Sequence, residues 1–253
     1  MLPSAANPMT SHALAHVRES VADIVGGELV AMYVVGSTAQ HDRVTGSDLD
    51  LLVVVTSTPQ RPWLAQLAEA VVVAAKRLGE RVELVVQDAA AVAHPHYPMP
   101  YVLNVNADPG PEAEPLVRTS GDPPHWFFLD AAMAREHALP LHGPKAAEVL
   151  GEPSRADVAR AIVDALDWHA ATPAQQGNAV LNACRAWRFL AGAGWSSKTQ
   201  AGQWAVPRWD DPVIERALAA RRGQTPTPTM DPGQVDRLHH HVRALALAAR
   251  SGE

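Results

Sequence analysis

VVGSTAQHDRVTGSDLDLLVVV, residues 34–55, is the stretch on which the reading of this chain turns. It begins as the end of an apolar, β-branched run, ELVAMYVVG at 28–36, which reads as a buried strand. Gly36-Ser37 opens a polar loop, and SDLDLLVVV at 47–55 reads as a second strand. Asp48 and Asp50 stand two apart at its start, so the pleat puts both carboxylates on one face. The Leu and Val residues that follow place them at the edge of a core. Two close carboxylates there repel, and at least one resists ionising unless a cation lies between them. A hard divalent cation answers this: Mg²⁺ takes one or two carboxylates together with substrate phosphates. Glu83 is a third carboxylate, in the middle of the otherwise apolar run RVELVVQD at 81–88. If that strand lies beside the aspartate strand the three converge, a donor set able to hold two metals for phosphoryl or nucleotidyl transfer. Gly36 and Ser37 supply the other half. A glycine at a strand end lets backbone approach a phosphate closely. The next N–H groups and the Ser37 hydroxyl can then bind β- or γ-phosphate oxygens.

Outward from this stretch, residues 11–25 carry Leu14, Val17, Val21 and Ile24 near helical spacing, and Gly26-Gly27 stops the pattern. Residues 60–78 are helical again, through Trp63, Leu67, Val71, Ala74 and Leu78. Helix, strand, strand, helix, strand is an α/β or α+β order, and the expectation is α+β: a mixed β-sheet flanked by helices. Residues 104–124, rich in Pro, Gly and acid, read as loop. Residues 126–144 read as a helix ending near Pro140. GEPS at 151–154 is the expected domain boundary, dividing the chain into 1–150 and 151–253. Everything beyond it reads as an all-α helical bundle. Ser154 can cap a helix with Asp157 three residues on, and Val158, Ile162 and Leu166 line one face. A second helix covers 178–191, a third opens at Asp231-Pro232, and 222–233 is loop.

Composition sets the outer limits. The chain has 253 residues, 47% hydrophobic and 19% charged, enough apolar content for a core. Its net charge of −6 argues against a broad nucleic-acid-binding face. Cys184 is the single cysteine, so neither a disulfide framework nor a cysteine metal cage exists. The first twenty residues lack the pattern of a secretory signal, and no apolar run approaches the ~20 residues that span a bilayer. A cytoplasmic protein with no membrane partner is expected. His239-His240-His241 point about 100° apart on a helix and do not chelate one ion easily.

GSTAQHDRVTGSDLDLLV resembles the signature of the DNA-polymerase-β-like nucleotidyltransferases. AMAREHALPLHGP at 132–144 and GNAVLNACRAWRFLAGAGWSSKTQAGQWA at 177–205 resemble the aminoglycoside adenylyltransferases that modify streptomycin and spectinomycin. That resemblance implies a Mg²⁺-dependent transfer of AMP from ATP to a drug hydroxyl, with an N-terminal nucleotidyltransferase domain and a helical C-terminal domain that closes over the nucleotide. It implies that Asp48 and Asp50 bind two Mg²⁺ ions. Glu83 would be the general base, able also to touch a metal. Gly36, Ser37 and Ser47, with Arg185 and Lys198 from the helical domain, would hold ATP. Trp168, Asn178 and Asn182 are the substrate-side candidates, and a monomer is expected. Read from the residues alone, Asn178, Asn182 and Arg185 form a polar stripe at i, i+4, i+7 that on an isolated helix more often faces water.

The drug half of the resemblance departs from the family pattern. No Trp stands near Asn104–Asn106, where an aromatic is expected, and Gln175 replaces a carboxylate. A second expected Asp meets Ala170-Ala171-Thr172. A cationic drug loses charge-assisted bonds of roughly 1.5–3 kcal/mol each where such anions are missing. This favours spectinomycin, or an unrelated hydroxyl acceptor, over streptomycin, with Asp164, Asp167 or Glu112 available as substitutes. The other readings are a macromolecular hydroxyl acceptor and a non-catalytic module that keeps the fold.

Overall fold

The computed structural model describes residues 8–56, 61–172, 176–223 and 230–250. Helix α1 (Pro8–Val25) leads through a 3₁₀ turn into β1 (Leu29–Val34), the short α2 (Gly36–Ala39), β2 (Leu49–Val55), α3 (Leu64–Leu78) and β3 (Val82–Asp88). Then come α4 (Ala89–Ala93), β4 (Leu103–Ala107), β5 (Leu116–Arg118), α5 (Pro124–His137), β6 (Leu139–His142) and α6 (Ala146–Val149). The rest is helical: α7 (Arg155–Ala170), α8 (Gln176–Leu190), α9 (Lys198–Ala205), α10 (Val213–Arg221) and α11 (Pro232–Arg250), with one 3₁₀ turn between α9 and α10.

The six strands form one sheet in the order β5-β4-β3-β2-β1-β6. Only β2 and β3 run parallel, with α3 as their crossover, and every other pair is antiparallel. The mixed sheet expected from the sequence is therefore present. The valine-rich runs explain it, because β-branched side chains pack well on a pleated, buried surface.

Strand alternation divides the interior. Met32 and Val34 of β1, with Leu49, Leu51, Val53 and Val55 of β2, face α1 and α3. Ala31, Tyr33, Leu52 and Val54 face the other way and join one core with Val158 and Ile162 of α7, Val180 and Leu181 of α8, and Leu238 and Val242 of α11. Each fully buried aliphatic side chain contributes ~1.5–3 kcal/mol relative to an exposed one. Coil at 151–154 separates α6 from α7, but the apolar core runs across that point without a gap. Ser154 caps α7 by accepting the Asp157 N–H, as its spacing suggested. Ser197 and Gln200 make a reciprocal capping box at the start of α9.

Two sequence expectations need correction. Residues 104–124 are not simply loop, for β4 and β5 lie within or against them. Leu103, Val105 and Ala107 are buried and alternate with Asn104 and Asn106, a period of two masked by the turn-forming character of Asn. The helix expected over 126–144 ends at His137, and the chain then pairs with β1 as the edge strand β6. Pro140 fits there, since an edge strand tolerates a residue without an N–H.

Candidate active site

Parallel pairing of β2 with β3 sets Asp50 directly beside Glu83. Both alternate with residues of the α1/α3 core, so both face the opposite side of the sheet, toward the C-terminal helices. Asp48 lies one pleat earlier on the same face. The loop at Gly36 passes so close that a Cβ there would sit 1.8 Å from Asp50 Oδ2, and its φ is +62°. Gly36 is thus demanded twice, once by a left-handed backbone and once by the carboxylate against it. The missing side chain leaves room for the Asp50 carboxylate.

These carboxyl groups resist ionising. Burial, then the charges of Glu83, Asp130 and Asp48, pushes Asp50 up to about 8. Burial and the neighbouring Asp130 charge push Glu83 up to about 7, against a weak opposing hydrogen bond from Asn106 Nδ2 at 3.5 Å. Asp48 is raised by burial, with Arg81 at 3.9 Å acting in the other direction. Asn106 also donates to Asn104 (3.1 Å), and Asn104 donates to the buried Asp122 (3.1 Å), which Tyr101 and Arg118 hold as well. The general-base candidate therefore stands at the end of a polar chain crossing β4.

The facing wall is cationic. Arg185 on α8 donates to Asn182 Oδ1 at 3.2 Å and contacts Met133 Sδ of α5. Lys198 opens α9 and donates to Asn178 Oδ1 at 3.1 Å. The polar stripe of α8 is thus directed at other side chains rather than left to bulk water. Burial and the two arginines Arg185 and Arg221 lower the Lys198 ammonium to about 8. Burial likewise lowers Arg185. Asp130, from α5, also lines this space; burial raises it, against the opposing charges of Arg185 and Lys198.

A cleft of about 840 Å³ lies between these walls. Gly36, Ser37, Ser47, Asp48, Asp50 and Glu83 line one side, and Asn178, Arg185 and Lys198 line the other. Two substrate-side candidates are not among its lining residues. Asn182 lies behind Arg185 and bonds His169 at 3.0 Å. Trp168 packs edge-on against Trp126, with ring centroids 5.2 Å apart. Of the substitutes, Asp164 accepts from Tyr97 and Asp167 pairs with Arg243. Gln175 lies outside the described residues. Sequence reading missed Asp130, Asp42 and Arg221, which also line the cleft. An aspartate within the apolar run WFFLDAAMA was the available signal for the first. Cys184 is fully buried and its thiol is pushed up to about 12, so it is a packing residue. His239 is buried, and burial lowers it.

Among the described residues, no three His, Cys, Asp or Glu side chains are drawn together as a ready metal cage. The donor set nonetheless fits a magnesium ion. Asp48 and Asp50 offer hard oxygens on one face, Asp50 is crowded by the like charges of Glu83, Asp130 and Asp48, and the cleft leaves room for phosphate and water oxygens to complete the shell.

Residues 148–244 match the model of the aminoglycoside adenylyltransferase C-terminal domain. Spectinomycin 9-adenylyltransferases from several Staphylococcus aureus strains are 26% identical over 215 residues, covering 80% of each chain. The chain is thus similar to the aminoglycoside adenylyltransferases, by domain model over its C-terminal part and by sequence over most of its length. A solved structure of the spectinomycin adenyltransferase AAD(9) from Enterococcus faecialis, with ATP and spectinomycin, superposes with a TM-score of 0.69 at 17% identity. The match covers 94% of this chain and 99% of that one, so the shared fold extends over nearly the whole molecule. These similarities to named adenylyltransferases support nucleotidyltransferase activity. No helix among the described residues is long and apolar enough to cross a membrane.

Proposed function

We propose that the chain transfers AMP from ATP to a hydroxyl of an aminoglycoside or aminocyclitol antibiotic, with Mg²⁺ as cofactor. The observation that carries this reading is the Asp50–Glu83 register pair facing Arg185 and Lys198 across one cleft. Residues 1–150 would supply the carboxylates, and 151–253 the cations that close over the nucleotide.

Asp48 and Asp50, with Glu83 beside them, would hold magnesium. When bound, the metal supplies charge neutralisation at the attacking oxygen and the leaving pyrophosphate. The chain's own residues do the rest. Glu83, beside Asp50 in the register of β2 and β3, accepts the acceptor hydroxyl proton as general base. The freed oxygen attacks the α-phosphorus in line, and the bond to pyrophosphate breaks. Ser37 and Ser47 border the phosphate region, while Arg185 and Lys198 offset the charge of the leaving group.

Spectinomycin is the acceptor to test first. Relatives named for it align with most of this chain, and the residues available to grip a polycation are few. Asp130, open to the cleft, is a further carboxylate able to meet an acceptor ammonium. The test is pyrophosphate release with ATP and Mg²⁺ against spectinomycin, streptomycin and related aminoglycosides. Release with spectinomycin supports the reading. Turnover only with a protein or RNA overturns the acceptor, and absence of both turnover and ATP binding overturns the enzyme.

A further inference from the structure

Asp42 lies in the loop just past α2, and its N–H donates to Ser37 O at 2.9 Å. Its carboxylate crosses the cleft. Asp42 Oδ2 accepts from the Thr199 N–H at 3.2 Å and from Arg221 Nη2 at 2.9 Å. Arg221, the last residue of α10, also donates through Nη2 to the Asp42 carbonyl at 2.7 Å, and through Nε to Thr199 Oγ1 at 3.2 Å. The two side chains are only 11% and 13% exposed, so this is not a solvated surface pair. Burial alone would raise Asp42, and the bonds from Thr199 and Arg221 outweigh it and hold the carboxyl below its usual range.

The neighbours of this triad give it a consequence. Thr199 follows Lys198 directly, and Asp42 is bonded to the turn that carries Ser37. One four-bond cluster thus joins the loop on the sheet wall to the helix start on the cationic wall, the two places expected to grip the triphosphate. Charge-assisted bonds with limited exposure are the strong ones, and the three bonds from Arg221, to the Asp42 carboxylate, the Asp42 carbonyl and the Thr199 hydroxyl, fix geometry as well as distance.

We infer that Asp42, Arg221 and Thr199 form a clasp that sets the separation of Ser37 and Lys198 for nucleotide binding, making Asp42 and Arg221 positioning residues for ATP. This inference rests on the proposed function for its ligand but not for its geometry. Without the clasp, the two walls must be ordered by the nucleotide itself, which weakens ATP binding and leaves acceptor binding largely alone.

ATP binding to the full chain, measured by calorimetry without acceptor, tests it. D42N and R221Q should each weaken ATP by on the order of tenfold, the loss of about one charge-assisted bond. The double variant should lose little more than either single one. R221K should recover part of the loss. In steady state, the ATP KM should rise while the acceptor KM holds. T199A, which removes a single hydroxyl, gives a milder step in case D42N or R221Q folds poorly, and thermal melting identifies such failure. Unchanged ATP affinity in folded D42N, R221Q and T199A overturns the clasp. Strictly additive losses overturn it too. If the wild-type chain itself does not bind ATP, the proposed function fails instead.

Discussion

The two walls of the cleft are built by different means. On the sheet wall, Asp48, Asp50 and Glu83 are placed by the pleat of β2 and by its register with β3. On the helical wall, Arg185 is held by the Asn182 and Met133 side chains and Lys198 by Asn178, and the wall is tied across by Asp42 and Arg221. A position fixed by backbone register costs nothing extra to maintain, whereas one fixed by side-chain bonds can shift when a single bond is lost. The first wall should therefore govern chemistry and the second nucleotide affinity.

The sharpest way to break that contrast is E83Q. Loss of the base should lower kcat by roughly 10²–10⁴-fold in pyrophosphate release, with ATP affinity little changed. A variant that instead lost ATP binding would move Glu83 out of the role of base.

Next is G36A. The added methyl would meet Asp50 Oδ2 at 1.8 Å and would also occupy a left-handed backbone. We expect about a hundredfold loss of kcat, because a displacement of about 1 Å is enough for that. Pyrophosphate release measured beside thermal melting separates this from simple unfolding.

The helical wall should respond to pH. With its ammonium lowered to about 8, Lys198 loses charge as the solution passes from neutral to alkaline. ATP affinity should fall by about tenfold between pH 7 and 9, and K198R should flatten the profile, since guanidinium stays charged. A wild-type profile that is already flat would remove Lys198 from the phosphates.

The smallest expected effect is on stability. Glu83 and Asp50 hold their protons to about 7 and 8 in the folded state, well above the ordinary carboxylate range. Their unfolded forms release protons nearer 4, so the folded state binds more protons over this window. Stability from these groups is present below about pH 4 and is lost as pH rises through 7 and 8. The metal-free protein should melt a few degrees lower at pH 8 than at pH 6, and Mg²⁺ should reverse the difference. A Mg²⁺-independent melting curve would count against a metal at Asp48 and Asp50.

The same contrast explains what was legible in the sequence. Asp48, Asp50 and Glu83 could be read because a period of two and a short apolar strand are local signals. The long helices could be read from their caps, such as Ser154 with Asp157, and from their apolar stripes. β4 was hidden because Asn104 and Asn106 look like turn residues until Glu83 and Asp122 are seen to use them. The role of Asp42 was invisible, because its partner Arg221 is 179 residues away and no periodicity links them. The contribution of Trp168 could be read only through the resemblance, and the fold places it in an aromatic cluster beside Trp126 rather than on the cleft.

Tyr33, Leu52 and Val54 share their burial with Val158, Ile162, Leu181 and Leu238. A fragment ending near residue 150 would leave that face of the sheet bare to water, an invitation to self-association rather than an independent module. The halves of this molecule should therefore melt in one cooperative event, and closure on a nucleotide should be a matter of ångström adjustments, not the swing of a free-standing lid.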